Sequence, residues 1–97
     1  GQGVHVNYGV SVGGGVVIGD YVTLGTGCIL GHDAVIEDYA IVAPGAVISG
    51  FVQLGRSSYI GAASSIRQRV CIGAQAGYGR LAKIRGAQLK LLHKRSR

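Results

Sequence analysis

The chain has no methionine, no tryptophan, one proline and one phenylalanine in 97 residues. A core built on large aromatic side chains is therefore excluded, and only aliphatic side chains remain to fill an interior. No apolar stretch approaches the roughly 18–20 residues that a membrane-crossing helix needs, and the start shows no signal-peptide pattern. Two cysteines are too few for a disulfide scaffold, so they read as reduced thiols and a cytoplasmic setting is the default expectation. Acidic residues number four (Asp20, Asp33, Glu37, Asp38), with none beyond Asp38. Lysine and arginine are absent before Arg56 and then crowd toward the end, giving a net charge of +6. A basic end can attract phosphates, nucleic acid or anionic lipid. No aromatic stacking platform accompanies it, so a nucleic-acid partner is not expected.

What the chain does have is a six-residue beat. Val6, Val12, Ile18, Leu24, Leu30, Ile36, Val42, Ile48, Leu54, Ile60, Ile66 and Ile72 recur without a slip. Two residues before each stands a small or β-branched side chain, such as Val22, Cys28, Ala34 or Ser58. Glycine or another small residue usually follows. Helices repeat near 3.6 residues and simple strands near 2, so neither alone explains the pattern. A hexad with two inward positions is a short strand and a corner, and stacked hexads mark a parallel β-helix. Three hexads per coil give a triangular prism of roughly 18 residues per turn. Twelve hexads make about four coils. The abundant glycines, 18 in all, are expected at the corners to supply backbone conformations that other residues resist.

The beat fades after Ile72. From Arg80 the segment RLAKIRGAQLKLLHKR reads as a helix, with Leu81, Ile84, Gln88 and Leu91 near one face. The expected organisation is a β-helix over residues 1–79 and a basic helical cap or tail over 80–97. Such a cap would cover the last coil, whose open edge otherwise invites pairing.

The same ruler locates the polar side chains. His32 and Asp33 follow Leu30 and Gly31, so they sit at a corner. Ile29 with Val47, and Val17 with Val35, form outward apolar pairs on the two faces that meet there. Stripes of this kind suggest contact with another subunit. A histidine in an intersubunit cleft can act as general base near neutral pH, and a neighbouring carboxylate can orient its ring. Gly50 lies one coil beyond His32. Arg67, Gln68 and Arg69 occupy the same corner one coil further on, where arginines could meet phosphates. Cys28 points into the core and Cys71 outward from another face, so neither serves as a nucleophile. A zinc site is not expected, because His5, His32 and His93 are not in register with the hexads. An ice-binding prism would need ranks of outward threonine, and only Thr23 and Thr26 exist.

The stretch GHDAVIEDYAIVAPGAVISG, Gly31 to Gly50, resembles the hexapeptide-repeat acyltransferases. It is most similar to the branch of sialic acid O-acetyltransferases and nucleotide-sugar N-acetyltransferases. The resemblance runs from about Gly9 to Gly73. It implies a left-handed prism, a closed homotrimer, and acetyl-CoA lying along the cleft between prisms as acyl donor. By it, His32 is the base that deprotonates a small acceptor's hydroxyl or amine, Asp33 assists, and the backbone N–H of Gly50 binds the thioester carbonyl. Arg67, Gln68 and Arg69 would then line the donor's path. No metal is implied. Three departures stand out. Ile41 occupies the place where some members carry a second histidine, and Glu37 stands where a glycine is usual. The sugar-binding α/β domain that normally precedes the first coil has no counterpart in this sequence, so the acceptor-binding half is expected to be missing, truncated or supplied by another chain. The alternative to an acetyltransferase is a non-catalytic trimeric module derived from a shortened enzyme.

Overall fold

The structure, a computed structural model, describes residues 1–78. The expected helix over 80–97, and with it the cap and the domain boundary, lies outside the described residues.

Each hexad contributes a strand of two residues, and each strand pairs in parallel with the one three hexads later. The first face stacks His5–Val6, Thr23–Leu24, Ile41–Val42, Tyr59–Ile60 and Gly77–Tyr78. The second stacks Ser11–Val12, Ile29–Leu30, Val47–Ile48 and Ser65–Ile66. The third stacks Val17–Ile18, Val35–Ile36, Gln53–Leu54 and Cys71–Ile72. Register is uniform: His5 pairs with Thr23, Ile29 with Val47 and Val35 with Gln53. The result is a parallel β-helix of about four coils, as the hexads predict.

Within each strand the first residue faces out and the second faces the axis. Leu24, Leu30, Ile36, Ile48, Leu54 and Ile60 are buried in one continuous column. The small residues two positions earlier (Val22, Cys28, Ala34, Ala40, Ala46, Val52) share it. Burying each large aliphatic chain stabilises the fold by about 1.5–3 kcal/mol. The first coil differs from the expectation. Val6 and Val12 are 57% and 50% exposed. They belong to the first described coil, and the packed core begins at Val22.

The corners correct the expected role of glycine. Backbone with positive φ recurs every sixth residue, three after the central aliphatic, from Gly3 through Gln75. Only five of these positions carry glycine; Tyr21, Asp33, Tyr39, Phe51, Ser57, Ala63, Arg69 and Gln75 adopt the same conformation. The glycines directly after the aliphatic residues have another cause, which is close approach. A Cβ on Gly31 would lie 2.6 Å from the backbone nitrogen of Gly50. One on Gly55 would lie 2.5 Å from that of Ala74. These glycines let successive coils stack at β-sheet spacing where the chain turns.

Candidate functional site

Every corner between the second and third faces repeats the same local geometry, so its side chains stack in columns. One column runs Gly14, His32, Gly50, Gln68. Its neighbour, at the positive-φ position, runs Gly15, Asp33, Phe51, Arg69. Backbone hydrogen bonds tie the columns together: Asp33 N–H donates to Gly14 O at 2.9 Å, Phe51 N–H to His32 O at 3.0 Å and Arg69 N–H to Gly50 O at 3.1 Å.

The His32 ring meets Asp33 through Nδ1 and Oδ2, 3.1 Å apart, with side chains 59% and 49% exposed. An ionised carboxylate only accepts, so Nδ1 is the donor, and in the neutral ring Nε2 keeps the lone pair. Gly15 makes room for this pair, since a Cβ there would strike the Asp33 carboxylate. Gly50 makes room below it, since a Cβ on Gly50 would lie 2.8 Å from His32 Nε2. The imidazole therefore rests over a residue whose backbone is bare. Gly50 itself is buried, and its N–H has no hydrogen-bond partner among the described residues.

The expected site residues thus converge in part. His32, Asp33 and Gly50 form one cluster. Arg67, Gln68 and Arg69 stand exposed one coil further on. Arg69 reaches along its column, with its guanidinium carbon 4.4 Å from the centroid of the Phe51 ring. Phe51 was not singled out from the sequence. It meets His32 edge-on, with centroids 5.0 Å apart and planes at 89°. The signal for it was available: Phe51 follows Asp33 by one coil, and it is the chain's sole phenylalanine.

The apolar pairs flank this corner as expected. Ile29 and Val47 lie exposed on the second face, and Val17 and half-buried Val35 on the third. A groove of about 260 Å³ runs along the third face and the following corner, lined by Val17, Val35, Glu37, Asp38 and Arg56 among others. His32 is not among the residues that line it. Glu37 does not open space as a glycine would; its Oε2 accepts a bond from Gln53 Nε2 at 3.1 Å. Ile41, at the place where some members of the resembled family carry a second histidine, faces outward on the first face.

Both cysteines are free and buried. Burial pushes the Cys28 thiol above its ordinary value. Cys71 holds an outward strand position, as expected, yet it is buried there and its Sγ donates to Gln53 Oε1 at 3.5 Å. Among the described residues no group of three or more His, Cys, Asp or Glu side chains could hold a metal ion. No described helix is long and apolar enough to cross a membrane.

Residues 16–50 match the bacterial transferase hexapeptide family, six repeats. That hexapeptide stretch includes His32 and Asp33 and ends on Gly50. Among curated proteins no match is found. Among solved structures, the acetyltransferase domain of PglB from Neisseria gonorrhoeae FA1090 is similar, with a TM-score of 0.55 and 22% identity over 86% of this chain. The chain spans about half of that structure, 51% of its length. The likeness supports the coil architecture, and a left-handed prism accords with the hexapeptide repeat.

Proposed function

We propose that the chain is an acyltransferase that moves an acetyl group from acetyl-CoA to a small, sugar-like hydroxyl or amine acceptor. One observation carries this reading. An imidazole with Nδ1 committed to a carboxylate leaves Nε2 above a glycine whose N–H has no partner among the described residues. These are the two groups that acyl transfer from a thioester requires, a base and an oxyanion donor.

In this reading His32 Nε2 takes the proton of the acceptor as its oxygen or nitrogen attacks the thioester carbon. The N–H of Gly50 donates to the carbonyl oxygen as negative charge gathers there. The C–S bond then breaks, and His32 returns its proton to the departing thiolate. Asp33 holds the ring in the tautomer that makes this possible and stabilises the imidazolium between the two transfers. General-base catalysis contributes roughly 10²–10⁴-fold and one oxyanion donor about 10²–10³-fold. No covalent enzyme intermediate enters, because the Cys28 thiol is buried and kept protonated. Arg67, Gln68 and Arg69 lie on the path a phosphate-bearing donor would follow along the prism.

The reading includes a homotrimer, in which the apolar pairs of Ile29 with Val47 and Val17 with Val35 are covered and the cleft around His32 closes between prisms. It is metal-free and set in the cytoplasm. The similarity to an acetyltransferase domain supports it. Thioester cleavage by wild type and His32→Ala, with a panel of sugar and amine acceptors, is the test. Loss of acceptor-dependent cleavage in the variant is expected; equal rates would remove His32 from the mechanism. Calorimetry that detects no binding at millimolar acetyl-CoA would favour a non-catalytic trimeric module instead.

A further inference from the structure

Phe51 is in an unusual place for the one phenylalanine of a small protein. It contributes nothing to the core and is 40% exposed. Its φ is +58, a conformation that bulky side chains resist. The same positions hold Gly9, Gly27, Gly45 and Ala63 at the corner between the first and second faces, and Tyr21 and Tyr39, stacked on each other, at the corner between the third and first. Neither burial nor backbone preference explains a phenylalanine here.

Its contacts do. The ring stands perpendicular to the imidazole of His32 at 5.0 Å, an edge-to-face arrangement that aromatic pairs favour. The Arg69 guanidinium lies over the same ring at 4.4 Å and braces it from the next coil. The His32 side chain is 59% exposed and, among the described residues, makes one hydrogen bond, to the adjacent Asp33. One bond to a neighbour on the same corner leaves the imidazole free to swing with Asp33. A second constraint from another coil is what fixes it.

We propose that Phe51 is a positioning residue, whose Arg69-braced ring holds the His32 imidazole with Nδ1 on Asp33 and Nε2 over Gly50. The inference rests on the reading of His32 as the base. Gly50 and Phe51 then act as a pair: the first leaves space for the imidazole, and the second closes off the side into which it would otherwise rotate. Arg69 acts through Phe51 and has the smaller effect.

The test uses Phe51→Gly, Phe51→Leu and Phe51→Tyr. Glycine suits φ +58 better than phenylalanine does, so Phe51→Gly removes the ring without straining the corner. Two readouts are needed. Side-chain NMR couplings and ring ¹⁵N shifts report the rotamer and tautomer of His32 directly, without any assay. Steady-state kinetics report kcat and KM for acetyl transfer. In Phe51→Gly and Phe51→Leu, the expected outcome is rotamer averaging at His32 with kcat about 10- to 100-fold lower and KM for the donor little changed. Phe51→Tyr, which keeps an aromatic ring, should restore both readouts. A single unchanged His32 rotamer in Phe51→Gly overturns the proposal, as does unchanged kcat in a variant whose rotamer has become averaged. Full activity in His32→Ala overturns the catalytic reading and this inference together. That result is told apart by the variant in which it appears.

Discussion

Two corners of the prism share one backbone and use it differently. At the corner between the third and first faces, the column Gln2, Asp20, Asp38 is a ladder. Asp20 Oδ1 accepts the N–H of Gln2, and Asp38 Oδ1 accepts the N–H of Asp20, each at 2.8 Å. Beside it Tyr21 and Tyr39 stack at 5.4 Å, and Arg56 lies over Tyr39 at 5.5 Å. At the corner between the second and third faces, the matching positions hold Gly14, His32 and Gly50. No carboxylate there reaches back to cap the preceding coil, and the His32 and Gly50 N–H groups are left without partners among the described residues. The aromatic position holds Phe51, turned toward His32 instead of another ring of its own kind. The first corner caps the Gln2 and Asp20 N–H groups with its own carboxylates. The second leaves His32 Nε2 and the Gly50 N–H without partners among the described residues.

The comparison is broken most severely by writing one corner into the other. Gly50→Asp would place a carboxylate where it can cap the N–H of His32, while its Cβ displaces the imidazole. A fall in acetyl transfer of about 10²-fold or more is expected, with folding retained. Near-normal turnover in a folded Gly50→Asp would show that the bare backbone at residue 50 has no part in the reaction. The reverse change, Asp38→Ala, should leave kcat unaltered and lower stability by about 1–2 kcal/mol through the lost bond to Asp20 N–H. Urea unfolding and the acetyl-transfer assay on the same preparation check both halves of that statement.

A smaller effect tests whether the packing behind the capped corner is ideal. Ser58 follows this corner into the first face, and its buried Oγ has no hydrogen-bond partner among the described residues. Ser58→Ala should therefore stabilise the fold by up to about 1 kcal/mol, read as a rise in melting temperature. An equal fall would mean that the hydroxyl is satisfied in solution.

The smallest effect is confined to alkaline pH and should be blind to both corners. The Cys28 thiol is raised above its ordinary value of 9.0 by burial. Below pH 9.0 the thiol is protonated in the folded and unfolded chain alike, and stability is flat with respect to it. Above pH 9.0 only the unfolded thiol ionises, so stability falls until the folded thiol follows. Cys28→Ala should remove this part of the alkaline slope, and Asp38→Ala should not. Urea melts at pH 8 and pH 10 measure the difference.

Much of this was legible in the amino-acid order because the hexad is strict. Placing Leu30, Ile48 and Ile66 inward leaves no freedom over where Ile29, Val47 and Ser65 sit, and it brings His32, Gly50 and Gln68 to one corner. Less legible was the purpose of each glycine. Gly31 and Gly27 look alike in sequence, yet the first is required by the backbone of the neighbouring coil and the second adopts a positive φ. Phe51 was overlooked because an aromatic in a turn has no meaning until its neighbours in the next coils are known.

The sequence by itself determined the coil, its register, the aliphatic column and the corner on which His32 and Asp33 stand, because a strict six-residue period with three strands per turn stacks every eighteenth residue. The tertiary structure decided which groups at that corner remain free. Whether an N–H is capped, whether a ring is braced and whether a glycine admits an imidazole all depend on side chains 18 residues away. Those contacts arise only when one coil is stacked on the next.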